Sequence, residues 1–202
     1  MSNKTRKISL VTGSVAALAF SIVAIQPNTY GYGTTVSSTV SPSITAESNS
    51  ATVNINTTPG PSPVQTINND AVSVSTNDTA GYTLKIAASG ASSALTSGAN
   101  TIPTSTGTQA SPVAMAANTW GYHVDTVGGF GTGPTSAVSN QAIGALTFAG
   151  LPATASPNTL KTTAATASSD VTNVWYGVAV NNTQPASATP YTVGITYTIT
   201  AN

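Results

Sequence analysis

PYTVGITYTITAN, residues 190–202, alternates almost without error. Tyr191, Val193, Ile195, Tyr197 and Ile199 fall on one side, and Thr192, Gly194, Thr196, Thr198 and Thr200 on the other. A period of two is the signature of a strand with one face on a core and one on water. A slip of one residue would expose all five apolar side chains, so the register is strongly specified. The preceding run, NVWYGVAVN (173–181), aligns Val174, Tyr176, Val178 and Val180 in the same way. By chain order the two runs are expected to form an antiparallel pair joined through Gln184 to Pro190, with Val178 and Ile195 in one core.

Working outward, the same period recurs. ATVNINT (51–57) places Ala51, Val53 and Ile55 on one face. AVSVSTNDTAGYTLKIAAS (71–89) reads as strand, turn, strand, with Val72 and Val74 before Asn77–Gly81 and Tyr82, Leu84, Ile86 and Ala88 after it. NTWGYHVDT (118–126) alternates Trp120, Tyr122 and Val124. QAIGALTFAG (141–150) changes register at Gly144, the mark of a bulge. Between these runs lie loops rich in Pro, Gly, Ser, Thr and Asn at 57–63, 89–112, 126–136 and 151–170, with room for short helical turns near 92–96 and 137–146. The pattern predicts an all-β fold: an antiparallel β-sandwich, Ig-like or fimbrial-like, of seven to nine strands over 51–202, each sheet with one polar face. An outer-membrane barrel fits less well, because the long strands are too few and aromatics make up only 6% of the chain.

The chain of 202 residues has no cysteine and is only 5% charged. Lys4, Arg6 and Lys7 stand at its start, followed by an apolar run from Ile8 to Ile25. That layout predicts a secretory signal peptide or N-terminal membrane anchor over 1–27, helical in its apolar part, with small residues suited to cleavage at Ala17-Leu18-Ala19 and, more loosely, up to Ala24. Residues 28–50 read as a Ser/Thr/Gly-rich spacer or a loosely paired first strand. Beyond the leader, Lys85 and Lys161 stand against Glu47, Asp70, Asp78, Asp125 and Asp170, a net charge of −3. Such a body cannot neutralise a row of phosphates, which argues against nucleic acid as a partner.

Groups that titrate or attack are scarce. His123, the one histidine, falls opposite Trp120, Tyr122 and Val124 and is expected in solvent. One histidine without cysteine excludes the common zinc sets, and no cofactor motif is present. Asp70 and Asp78 read as turn formers in Asn-rich loops, where calcium is the competing reading. Lys85 points outward and Lys161 falls in a loop, which argues against an internal isopeptide bond. GGFGTG (128–133) reads as a flexible loop without the lysine of a phosphate site. Asn56, Asn77 and Asn181 head N-x-S/T sequons. Trp175, opposite Tyr176 on its strand, is expected nearer the surface. Together with Trp120 and Tyr122 it is the candidate stacking platform for a sugar, although core packing is the commoner fate of Trp120 and Tyr122.

TNDTAGYTLKI (76–86), ANTWGYHV (117–124) and the whole of 174–202 resemble uncharacterised secreted proteins of candidate-phylum bacteria such as the Saccharibacteria. The last strand is also similar to those of spore-coat-U-type and other fimbrial subunits, which usually carry cysteines. PASATPY (185–191) is an expanded form of the compact turn of the first group. The resemblance implies a surface-displayed β-sandwich and carries no catalytic residue over. The expectation is an exported, non-enzymatic cell-surface protein, structural, adhesive or filament-forming, whose partner is a second copy or a cell-surface glycan or protein. A secreted carbohydrate-binding module is the alternative. The membrane enters only through an uncleaved N-terminal segment.

Overall fold

A computed structural model describes residues 18–24 and 30–202. Most of the expected leader, 1–17 and 25–27, lies outside the described residues. β1 (Leu18–Ala24) and β2 (Tyr30–Val36) form an antiparallel ribbon running from Leu18 opposite Val36 to Ala24 opposite Tyr30. This ribbon belongs to one compact unit, and Pro42–Asn202 form another.

The second unit is all-β. Its strands are β3 (Ile44–Ser48), β4 (Val64–Thr76), β5 (Tyr82–Ala88), β6 (Leu95–Ser97), β7 (Asn100–Ile102), β8 (Val113–Ala114), β9 (Thr119–His123), β10 (Val138–Ala142), β11 (Thr147–Phe148), β12 (Asn158–Thr162), β13 (Ala167–Val180) and β14 (Ile195–Ala201). A five-stranded sheet runs β10–β4–β13–β9, with β3 also on β4, and a three-stranded sheet runs β12–β5–β14. Every one of these pairings is antiparallel. The two sheets face each other across one core. Val72, Val74, Trp120, Tyr122, Val174, Tyr176 and Val178 come from the first sheet, and Tyr82, Leu84, Ile86, Ala88 and Leu160 from the second. This is the expected sandwich.

Local chemistry explains the strands. In β5 the side chains at 82, 84, 86 and 88 are buried while Thr83 and Lys85 are half-buried, as period two requires. The corner between β4 and β5 is an Asx turn. Asp78 Oδ1 accepts from the Ala80 N–H at 2.8 Å, and Gly81 follows at φ 84°. A Cβ there would sit 2.4 Å from the Thr163 carbonyl oxygen, so only glycine fits. Ladder registers break beside Asn140 in β10 and Ser169 in β13, both at positive φ, as bulges do.

Several expectations are corrected. β13 and β14 are not a hairpin. β14 ladders with β5, Ile195 opposite Ala88, so the link 181–190 crosses from one sheet to the other. Val178 and Ile195 do share a core, but from facing sheets. Residues 51–57 form no strand, although Val53 and Ile55 still pack against the core. The regions 92–96 and 137–146 hold strand residues and no helix. GGFGTG is pinned: Phe130 is 5% exposed, and the Gly129 N–H donates to the Gln109 carbonyl.

The five-stranded sheet is also apolar on part of its outer face. Ile67, Met115, Phe148, Trp175 and Ala179 form a second small core there, under the β8–β11 ribbon. From Val174 to Val180 the strand β13 is buried on both faces, so the expected polar outer face is absent at its centre. The unbroken apolar run VWYGVAV is what double burial looks like in sequence.

Candidate functional site

The last strand and the ladder-free segment 51–59 face each other across an open groove of about 1210 Å³. Tyr176, Val178 and Val180 of β13 form its floor with Trp120, Leu95 and Ile102. One wall is Val53 and Ile55, and the other is Tyr191, Val193, Ile195 and Tyr197. These six wall residues are only half-buried, unlike the floor, where all but Leu95 are buried. The alternating face of 190–202 therefore does point at the core, as its sequence predicts, but the core is unroofed along it.

β14 is the reason for the opening. Among the described residues it ladders with β5 alone. The Gly194 carbonyl accepts from the Ser89 N–H, the Asn202 N–H donates to the Gly81 carbonyl, and Thr192 exchanges both bonds with Thr96. Even-numbered residues thus serve the β5 side. A strand directs its backbone groups alternately left and right, so the N–H and C=O of Val193, Ile195, Tyr197 and Ile199 point to the open edge.

One end of the groove is polar. The Ser48 hydroxyl donates to Asp70 Oδ1 at 2.7 Å, and the Tyr176 and Tyr197 hydroxyls share a 2.6 Å hydrogen bond. Asp70 is 4% exposed, in the middle of β4 and not in the turn expected of it. Burial raises both phenols above the ordinary tyrosine range. For Tyr197 the neighbouring Tyr176 adds to the rise, and for Tyr176 the bond to Tyr197 opposes it; the Asp70 carboxylate raises both. The two phenols are neutral hydrogen-bonding groups at that end of the groove. Sequence reasoning missed them because Asp70, Tyr176 and Tyr197 are distant in the chain and only the crossing of β14 joins them.

Of the candidate stacking rings only Trp120 reaches the groove, as part of its floor, and Tyr122 and Trp175 lie outside it. Trp120 is 2% exposed and its Nε1 donates to the Ser93 carbonyl at 3.0 Å. Tyr122 is fully buried, with its hydroxyl donating to Gln109 Oε1 and accepting from Asn158 Nδ2. Burial pushes it up to about 12, against the bond from Asn158. Trp175, expected nearer the surface, is 6% exposed in the second core. None of the three offers a free ring face.

His123, expected in solvent, is fully buried beside Phe130 and Phe148, with centroids at 4.8 and 6.1 Å. Its Nδ1 lies 2.8 Å from the Thr147 carbonyl, an acceptor only, so Nδ1 carries the hydrogen. Nε2 then faces Asp125 Oδ1 at 3.5 Å. Lys161 lies in β12 and not in a loop. Its Nζ contacts Asp170 Oδ1 at 2.6 Å, and the Tyr82 hydroxyl donates to Asp170 Oδ2 at 2.8 Å. Among the described residues no group of three or more His, Cys, Asp or Glu could hold a metal ion. A comparison with protein-family models finds none that matches, and neither curated proteins nor solved structures give a match.

Proposed function

We propose that the protein is a non-enzymatic, exported subunit of the cell surface that assembles with copies of itself in a structural or adhesive role. The observation that carries this reading is the unroofed groove beside β14. A sheet edge with free backbone groups and a half-buried apolar face beside it is a template for another chain. The leader-like start of the sequence supports export. The low charge supports packing against a like surface, since the groove walls bring no repulsive charge. Glycan binding has no comparable support, because Trp120, Tyr122 and Trp175 are packed inside.

The test is to purify the exported chain and follow its mass by light scattering across concentration, with electron microscopy of the cell surface and of the concentrated protein. Oligomers or filaments are expected. A chain that stays monomeric at all concentrations and binds no cell surface overturns the reading.

A further inference from the structure

We infer that the polar end of the groove is the head-group site for a small amphiphilic amine, with a primary ammonium against Asp70 and an apolar body along the trough. This goes beyond the assembly reading, which uses the backbone edge of β14.

Asp70 is the one charged side chain that lines the groove, and it is 4% exposed. It follows the alternation of β4 in step with Val72 and Val74, whose side chains fill the core, so a carboxylate is aimed at the same side. A buried carboxylate is costly unless a cation or several donors meet it. The Ser48 hydroxyl donates to its Oδ1 at 2.7 Å. No basic side chain completes the set: among the described residues the ion pairs are His123 with Asp125 and Lys161 with Asp170. Lys85 stands between the buried Leu84 and Ile86 and is directed to the opposite face of its sheet.

The groups around Asp70 ask for a donor. The Tyr176 and Tyr197 hydroxyls spend a hydrogen on each other at 2.6 Å, and the Ser48 hydroxyl also lies 2.9 Å from the Ser50 carbonyl. The carboxylate, the hydroxyls and that carbonyl together offer more lone pairs than hydrogens. An ammonium brings three donors and no acceptor, which suits such a site. A calcium ion fits it poorly, because calcium takes roughly 6–8 oxygens and is held best by several charged ones. Beyond the phenols the lining turns apolar, with Val53 and Ile55 on one wall, Val193 and Ile195 on the other and Val178 beneath. These walls are half-buried and uncharged, so an alkyl or aryl body attached to the ammonium leaves water there.

The test titrates the full-length exported protein, at concentrations where it is monomeric, with n-octylammonium, n-octanol and octanoate by calorimetry. All three offer the same apolar chain, so the head group alone separates them. The amine is expected to bind about tenfold or more tightly than the alcohol, and octanoate most weakly. Asp70→Asn should bring the amine to the affinity of the alcohol and leave the alcohol unchanged, which also shows the groove intact. Should that variant fail to fold, nuclear Overhauser contacts in the wild type decide. The methylene beside the nitrogen should touch the Tyr176 and Tyr197 rings, and the terminal methyl should touch Val193. Equal affinities for the three probes, a preference that survives Asp70→Asn, or the reversed orientation overturns the proposal. So does calcium that binds at Asp70 and excludes the amine, or a lysine peptide that binds where n-octylammonium does not. Protein that assembles yet binds no amine removes this inference alone, and protein that binds the amine yet never assembles removes only the assembly reading.

Discussion

At the scale of single residues, Gly177 has the sharpest consequence. It faces the second core on β13, opposite Gly121 of β9, and the Phe148 ring lies over it. A Cβ at Gly177 would stand 2.7 Å from Phe148 Cε1 and 2.8 Å from Cζ. The ring is fully buried and held in place by its surroundings, so Gly177→Ala is expected to cost about 1–3 kcal/mol by overpacking. Thermal denaturation of Gly177→Ala, Phe148→Leu and the double variant checks the cause: the double should lose less than the sum of the singles, because Leu vacates the space the methyl needs. Strict additivity would place the strain elsewhere. The residue scale also shows where sequence reading stops. His123 and Trp175 lie opposite core residues on their strands, and alternation alone assigns such positions to water. They are buried because Phe148, with Phe130 beside His123 and Met115 beside Trp175, covers that face, and alternation within a strand cannot announce a cover brought by other segments.

At the scale of elements, the strands were largely legible and their partners were not. Period two marks β5, β9 and the core-facing half of β13, since burial on one face imposes it. Segment 51–57 has the same period without a ladder: Val53 and Ile55 follow the core, yet its carbonyls at Asn54 and Asn56 are held by the side chains of Asn68 and Thr66 and not by a strand backbone, and side-chain alternation cannot report that. The pairing of β14 with β5 was missed because a ten-residue link such as 181–190 closes a hairpin or crosses a sandwich at similar entropic cost. Free edge groups make β14 testable by hydrogen exchange. The amides of Ile195, Tyr197 and Ile199 should exchange much faster than those of Thr196, Thr198 and Thr200, which face β5, and the contrast should vanish in assembled protein. Equal protection in the monomer would mean that the edge is already paired. A second element-scale feature ties the sheets together: Lys161 of β12 and Tyr82 of β5 both hold Asp170 of β13. Burial works to raise the Asp170 carboxyl, but the hydrogen bonds from Lys161 and Tyr82 outweigh it and hold it below the usual carboxylate range. A carboxyl kept ionised is a poor electrophile for the lysine beside it, so the intact mass should equal that of the chain without loss of water. A depressed folded-state pKa stabilises the fold above the unfolded value of 3.8 and loses that stability as pH falls through the folded value. Below pH 4 the wild type should therefore lose stability more steeply than Asp170→Asn, read from urea midpoints.

At the scale of the whole molecule, the phenols set the alkaline limit. Tyr82, Tyr122, Tyr176 and Tyr197 are all raised, in each case first by burial, from an ordinary value of 10.0. Tyr82 is raised further by its bond to Asp170 and that carboxylate's charge. Tyr82, Tyr122 and Tyr176 lie buried in the core between the two sheets and Tyr197 packs half-buried against it, so ionising them inside the fold brings charge into that core or against it. A raised folded-state pKa gives stability that is whole below pH 10 and drains as pH rises, because the unfolded chain then releases protons that the folded chain keeps. Each such phenol contributes about 1.4 kcal/mol per pH unit. Four together approach about 5 kcal/mol per unit once the unfolded chain is fully ionised. A domain has about 5–15 kcal/mol to lose, so unfolding is expected within roughly one to three pH units above 10. Phenolate absorbance should then rise in one cooperative step, at the pH where near-ultraviolet circular dichroism collapses. Tyr197→Phe removes one ionising group but also the hydrogen bond to Tyr176, so its midpoint should move up in pH while its stability at neutral pH falls. Gradual ionisation of the buried phenols with the tertiary signal intact would show that the core admits water through the groove, and that the floor formed by Tyr176 is less sealed than its burial implies.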